Sequence, residues 1–238
     1  MNIKKIDKLI LVFLILAVIF LNYSQIDSFL EDVFSSKQKI LVERAIDGDT
    51  IQSDIGNIRL LGINTPERGE IYYDEAKAFL EINVLNKTVE IEFGKDRRDK
   101  YNRTLAYVFL NGKNINIEMV KNGLANYYFY GGRDKYSDDL EAAWNACIEN
   151  KVNLCEKSDN ICARCINIIG SDSLINNCGF SCNITGWQIK AEGRNNTIFQ
   201  EEILNSGEEI PFSLELMPTG DIIFLRDNEG KLVLWKSY

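Results

Sequence analysis

Read by its periodicities, the chain is mainly β, of the α+β kind, with an apolar helix at its N-terminus. Three observations carry this expectation. Residues 50–53 and 58–63 are short strand-like runs around a turn at 54–57 with Gly56 at its tip, which reads as a hairpin. Ala76, Phe79, Leu80 and Val84 recur at helical spacing. The last third of the chain breaks into short alternating runs separated by turns, as an all-β unit does.

Taken in order, residues 1–23 form a targeting segment. Lys4, Lys5 and Lys8 precede the unbroken apolar run 9–21. The run is short for a membrane span, yet no A-x-A cleavage site follows it. The missing cleavage site favours a retained membrane anchor, with a cleaved signal as the alternative. Basic residues before the run and Asp27, Glu31 and Asp32 after it place the remainder outside the cytoplasm. Residues 24–38 read as a polar stalk.

The next stretch, residues 47–67, carries the chemistry. Asp47-Gly48-Asp49 precedes the hairpin and Asn64-Thr65-Pro66-Glu67 follows it. A hairpin brings its two ends together, so these acidic turns meet. The carboxylates of Asp49 and Glu67, the amide oxygen of Asn64 and nearby carbonyls make an all-oxygen set, which suits Ca²⁺ or Mg²⁺ and not zinc. Arg59 is expected on the return strand, sharing a face with Leu61 and Ile63. A second arginine, Arg103, opens the strand 105–110. Two guanidinium forks beside an oxygen cluster are what phosphodiester cleavage requires: charge to neutralise phosphate oxygens and a carboxylate to activate water.

The motifs A-I-D-G-D-T, I-R-L-L-G-I-N-T-P-E, D-K-Y-N-R-T-L-A-Y and Asn122-Gly123-Leu124-Ala125 come in an order and spacing that resemble the staphylococcal nuclease family, over residues 39–157. The resemblance implies a five-stranded OB-type barrel with helices packed on it. It implies Ca²⁺-dependent hydrolysis of DNA and RNA. Asp49, Asn64 and the Thr65 carbonyl stand at calcium-ligand positions, Glu67 at that of the water-orienting residue or general base, and Arg59 and Arg103 at those of the phosphate-binding pair. It also puts tyrosines near 127–130 on the wall of the nucleotide pocket, making Tyr127, Tyr128 and Tyr130 candidates for base stacking, with core packing an equal explanation for some of them. Two departures stand out. Asn64 replaces the family's usual Asp, which keeps a ligand oxygen, removes a unit charge and predicts weaker calcium binding. Asn102 replaces a usual Gly, and Asn tolerates a positive φ there.

Around these motifs, residues 73–85 predict a helix, 88–93 a strand and 94–100 a solvated charged loop. Residues 115–121 predict a short helix stopped by Asn122-Gly123, and 134–150 a closing helix.

All six cysteines fall between Cys147 and Cys182. Zinc binding and disulfides both fit such spacing; export favours disulfides, with the pairing left open. Bonds joining the closing helix to the C-terminal strands are expected. In residues 158–238, strands are expected at 165–169, 186–191, 197–199, 210–216, 221–226 and 231–236. The pieces G-W-Q-I and G-D-I-I-F-L-R-D resemble the lamin-tail domain, an Ig-like sandwich found beside exported nucleases, with Trp187 at its core position. Acids outnumber bases in this half, which points to a protein or cell-surface partner for it.

Composition narrows the chemistry. The chain has 238 residues and no histidine, which excludes histidine general bases, Ser-His triads and His-ligated metals. Its net charge of −8 is unlike the basic footprint of most nucleic-acid binders, so substrate affinity is expected at the active site and not over a broad surface. Together the residues and the resemblance predict an extracytoplasmic Ca²⁺-dependent nuclease. The alternatives are an OB-fold binding module without catalysis and a surface adhesin acting through the C-terminal strands.

Overall fold

Eight strands of the first half make the frame that carries the acidic turns. The computed structural model describes residues 37–129, 131–191, 196–216 and 221–238. The expected anchor at 9–21 and most of the stalk lie outside the described residues. Among the described residues no helix is long and apolar enough to cross a membrane.

Strands β1 (Lys37–Ala45), β2 (Thr50–Ser53), β3 (Gly56–Leu60), β4 (Ile63–Asn64), β5 (Thr88–Arg98), β6 (Thr104–Leu110), β7 (Lys113–Asn114) and β8 (Asn126–Tyr127) follow in chain order. Helix α1 (Tyr73–Val84) lies between β4 and β5, and α2 (Ile115–Lys121) follows β7. The main sheet runs β3-β2-β1-β5-β6-β7, and β3 also pairs with β6. That last pairing is parallel, Ile58 opposite Thr104 and Leu60 opposite Ala106, and it closes five strands into a mixed barrel of OB type. Helix α3 (Ser137–Asn150) packs on it through Leu140, Ala143, Trp144 and Cys147, a stripe at helical spacing. Helix α2 starts at an Asn114 cap whose side chain accepts the Asn116 and Ile117 N–H groups.

The return strand expected over 58–63 is broken. It turns at Leu61-Gly62, where Gly62 has φ 71°, and resumes as β4 on another partner, β8. A Cβ on Gly62 would lie 2.5 Å from Leu140 and 2.8 Å from the Tyr107 hydroxyl, so the helix and barrel close tightly only over glycine. Arg59 therefore shares no continuous strand with Ile63. The charged loop expected at 94–100 is also different: β5 continues to Arg98, solvated along Lys95–Arg98 but strand-paired, with Arg98 opposite Thr104.

The C-terminal part adds two one-turn 3-10 helices, Asn153–Cys155 and Ile161–Arg164. Its strands are β9 (Ile166–Ile169), β10 (Ser173–Asn176), β11 (Cys182–Asn183), β12 (Gln188–Ala191), β13 (Asn196–Ile198), β14 (Ile203–Leu204), β15 (Glu209–Pro211), β16 (Ile222–Arg226) and β17 (Leu232–Ser237). They form sheets β15-β10-β9, β11-β14 and β13-β12-β16-β17. Strands β10, β11 and β14 were not expected, and of the expected strand 210–216 only residues 210 and 211 are strand, within Glu209–Pro211. Trp187 is buried in a second core with Leu174, Ile184, Ile189 and Leu225.

The two cores share strands. In β16, Ile222 and Phe224 enter the barrel core while Ile223 and Leu225 enter the second. In β17, Leu232 joins the first and Val233 the second. Trp144 of α3 accordingly packs edge-on against Phe224 (5.4 Å between ring centroids) and Trp235 (6.0 Å). Gln38–Tyr238 form one compact unit.

The cysteines are oxidised as Cys147–Cys155, Cys162–Cys182 and Cys165–Cys178. With no free cysteine among the described residues, the zinc alternative fails. The expected link between closing helix and C-terminal strands is absent: each bond is local, and Cys147–Cys155 lies in the barrel core itself.

Candidate active site

The site grows from two loops that glycine allows to touch. Asp49 precedes β2, and a Cβ on its neighbour Gly48 would lie 2.8 Å from Thr65 Oγ1 and 2.9 Å from Ala76 Cβ. Only a residue without a side chain lets this loop, the Thr65 turn and α1 meet.

Asp49 is buried and fully engaged. Its Oδ2 accepts the Thr65 N–H (3.2 Å) and hydroxyl (3.1 Å), and its Oδ1 accepts the Thr50 hydroxyl (3.1 Å). Arg59, opposite Thr50 in the β2–β3 register, brings Nη2 to 2.9 Å from Asp49 Oδ2. The same nitrogen donates to Asn64 Oδ1 at 3.0 Å, and Nη1 donates to the Leu60 carbonyl at 2.6 Å. Asp47 accepts the Asp49 N–H at 3.1 Å; burial first, and the Asp49 charge second, push its carboxyl above the usual range.

Arg103 reaches this cluster through Thr50, its Nη1 lying 3.5 Å from the hydroxyl. It is held by Asp99, whose Oδ2 accepts Nε at 2.7 Å and whose Oδ1 accepts the Tyr101 and Arg103 N–H groups at 2.9 Å each. Burial alone would raise the Asp99 carboxyl, but bonds from the Arg103 backbone and guanidinium outweigh it and hold the group below its ordinary range. Asn102 between them has φ 62°, the conformation its side chain was expected to tolerate.

The structure thus brings Asp49, Arg59, Asn64 and Thr65 into direct contact and Arg103 to their edge. Glu67 is exposed two residues beyond Thr65, in a turn where its N–H donates to Glu70 Oε2 (2.8 Å) and its carbonyl accepts the Glu70 N–H (2.8 Å). Tyr127 lies in the barrel core, 6.1 Å from Trp144 and 5.3 Å from Phe129 between ring centroids. Paired with Ile63, it packs where a pocket-wall residue was expected. Tyr128 is half-buried and donates its N–H to the Gly62 carbonyl (2.8 Å). Tyr130 lies outside the described residues.

Three supporting residues escaped the sequence reading. Thr50 bridges Asp49 and Arg103, Asp99 holds Arg103, and the fully buried Asn116 ties α2 to the site strand. Asn116 Oδ1 accepts the Val108 N–H (3.0 Å) and its Nδ2 donates to the Leu61 carbonyl (2.7 Å). The first two lie within quoted motifs, Thr50 directly after Asp49 and Asp99 four residues before Arg103, so the sequence held a signal for them. Nothing in the sequence signalled Asn116.

The donor set fits a hard cation. Asp49 Oδ2 and Asn64 Oδ1 converge within 3.0 Å on one positively charged nitrogen, so the position already stabilises positive charge with oxygen donors.

A family model described as "Staphylococcal nuclease homologue" matches residues 57–157. The chain is 35% identical over 130 residues to the thermonuclease of Staphylococcus intermedius, covering 50% of this chain and 77% of that protein. It is 33% identical over 162 residues to endonuclease YncB of Bacillus subtilis (strain 168), covering 61% of this chain and 77% of that one. It is 32% identical over 140 residues to the SPbeta prophage-derived endonuclease YokF of the same organism, covering 54% and 47%. With the closed mixed barrel and the arginine–carboxylate cluster, these matches make the chain a member of the staphylococcal nuclease family and a nuclease acting on phosphodiester bonds.

Proposed function

We propose that this nuclease is Ca²⁺-dependent, cleaves both DNA and RNA, and works outside the cytoplasm. The observation that carries the reading is the convergence of Asp49, Asn64 and Thr65 with Arg59, and with Arg103 one hydroxyl away. Asp49, Asn64 and the Thr65 carbonyl would hold the ion, which when bound neutralises phosphate oxygen charge and lowers the pKa of water. Arg59 and Arg103 bind the scissile phosphate and stabilise the charge that grows on its oxygens as the attacking water adds. Glu67 orients that water and takes its proton; the P–O ester bond opposite breaks and the leaving oxygen takes up a proton from solvent. Thr50, Thr65 and Asp99 keep the charged groups in register.

Location outside the cytoplasm is supported by the three disulfides, which persist in oxidising compartments, and by the charge asymmetry around residues 9–21. The test is cleavage of denatured DNA and of RNA by the full chain in Ca²⁺, in Mg²⁺ and in EGTA. Activity on both substrates in Ca²⁺ and its loss in EGTA are expected. Equal activity in EGTA would overturn the metal dependence, and a cytoplasmic, reduced protein in cells would overturn the location.

A further inference from the structure

The turn that carries Glu67 is held from the far end of the chain. Glu70 Oε2 accepts the Glu67 N–H at 2.8 Å. Lys190 of β12, 120 residues away in sequence, donates from Nζ to Glu70 Oε1 at 2.7 Å and to Oε2 at 3.0 Å. Both side chains are largely covered, 21% and 30% exposed, so this ion pair is screened less than a surface one. Lys190 stands on an interior strand, flanked by β13 and β16, which anchors the ammonium on a rigid element.

Two further observations place the C-terminal strands at this turn. A cleft of about 380 Å³ is lined by Asn64, Thr65 and Pro66 of the site and by Gln188, Lys190 and Asn228 of the C-terminal part. Gly230 packs under the same segment, where an added Cβ would lie 3.2 Å from Ile71 Cγ2. The turn needs outside support. Gly69 and Tyr72 both have positive φ, 92° and 66°, and a tyrosine in that region is strained unless its surroundings hold it.

We infer that Lys190 and Glu70 are positioning residues of the nuclease, and that the C-terminal strands are a working part of the active site because they fix the turn presenting Glu67. The inference rests on the role proposed above for Glu67. Lys190 touches neither phosphate nor water in it; the ammonium fixes a carboxylate, the carboxylate fixes a backbone N–H, and that sets where the Glu67 side chain starts.

The test uses the full oxidised chain and the variants Lys190→Ala, Lys190→Arg, Glu70→Ala, the double alanine variant and Glu67→Ala. Lys190→Ala is expected to lower kcat on denatured DNA ~10-fold with KM little changed, because a misplaced catalytic group acts on the transition state. Lys190→Arg restores most of the rate. The double alanine variant is no slower than Glu70→Ala, since one network is broken once. Independently of activity, amide exchange of a peptide covering 67–72 accelerates ~10-fold in metal-free Lys190→Ala while peptides from α3 and β16 keep the parent rate. Should Lys190→Ala not fold, Lys190→Gln carries the same measurements. Unchanged kcat with unchanged exchange at 67–72, a change in KM alone, or additive losses in the double variant would overturn the inference. If Glu67→Ala is inactive while Lys190→Ala matches the parent, only this inference fails. If Glu67→Ala itself matches the parent, the proposed role of Glu67 falls first and takes the inference with it.

Discussion

Arg59 holds three acceptors at once, the Asp49 carboxylate, the Asn64 amide and the Leu60 carbonyl, so its guanidinium is fixed before any phosphate arrives. Arg59→Ala, Arg103→Ala and Glu67→Ala are each expected to cut turnover ~10²-fold or more with the fold intact, measured as kcat alongside a melting curve. Their effects should combine less than multiplicatively, because they serve one phosphate as a unit. Asn64→Asp restores a ligand charge and should lower the Ca²⁺ concentration for half activity by a modest factor; an unmoved calcium titration would remove residue 64 from the metal shell. Asp99 gives a pH test. Its folded pKa lies below the ordinary value, so its stabilisation is present above the usual carboxylate range and lost as pH falls through the folded value. The melting-temperature gap between parent and Asp99→Asn should therefore be widest near neutral pH and close in acid. The meeting of Asp49 with Asn64 and Thr65 was legible because a hairpin joins its own ends. The burial of Tyr127 stayed open, since the consecutive aromatics of Y-Y-F-Y suit a core and a pocket wall equally well.

At the scale of elements, buried polar groups fix where the site strand ends. Asn116→Ala would leave the Val108 N–H and the Leu61 carbonyl without their partner in a fully buried place. A loss of about 2 kcal/mol or more in denaturant unfolding is expected, and a change within 0.5 kcal/mol would show that water or a shifted α2 replaces it. The helices were legible because spacing and stop residues agree: Asn122-Gly123 ends α2, with Gly123 at φ 62°. The break at Gly62 was hidden, because nothing in L-L-G-I-N tells that Leu140 and Tyr107 press on the glycine from elements far along the chain. The extension of β5 to Arg98 was hidden for a related reason: charged residues favour loops in isolation, and a solvated edge of a barrel accepts them as strand.

Across the whole molecule, the barrel and the C-terminal strands are joined through α3, β16 and β17. Phe224→Ala removes an aromatic partner of Trp144 and should cost about 3–5 kcal/mol. It should do so in one thermal transition that tryptophan fluorescence and far-UV circular dichroism report together. Two separated transitions would mean that the halves unfold independently. The barrel itself was legible through its motifs. The sharing of cores was not, because a motif marks one family's residues and says nothing of what a neighbouring segment covers. An alternating strand with both faces buried also places a strict demand on its length. Inserting or deleting a single residue within Ile222–Arg226 would send Phe224 toward Trp187 and Leu225 toward Trp144, misfilling both interiors in one step. Length variation between this chain and others built alike is therefore expected in the turn at 227–230, and the strand itself should tolerate changes of side chain but none of count.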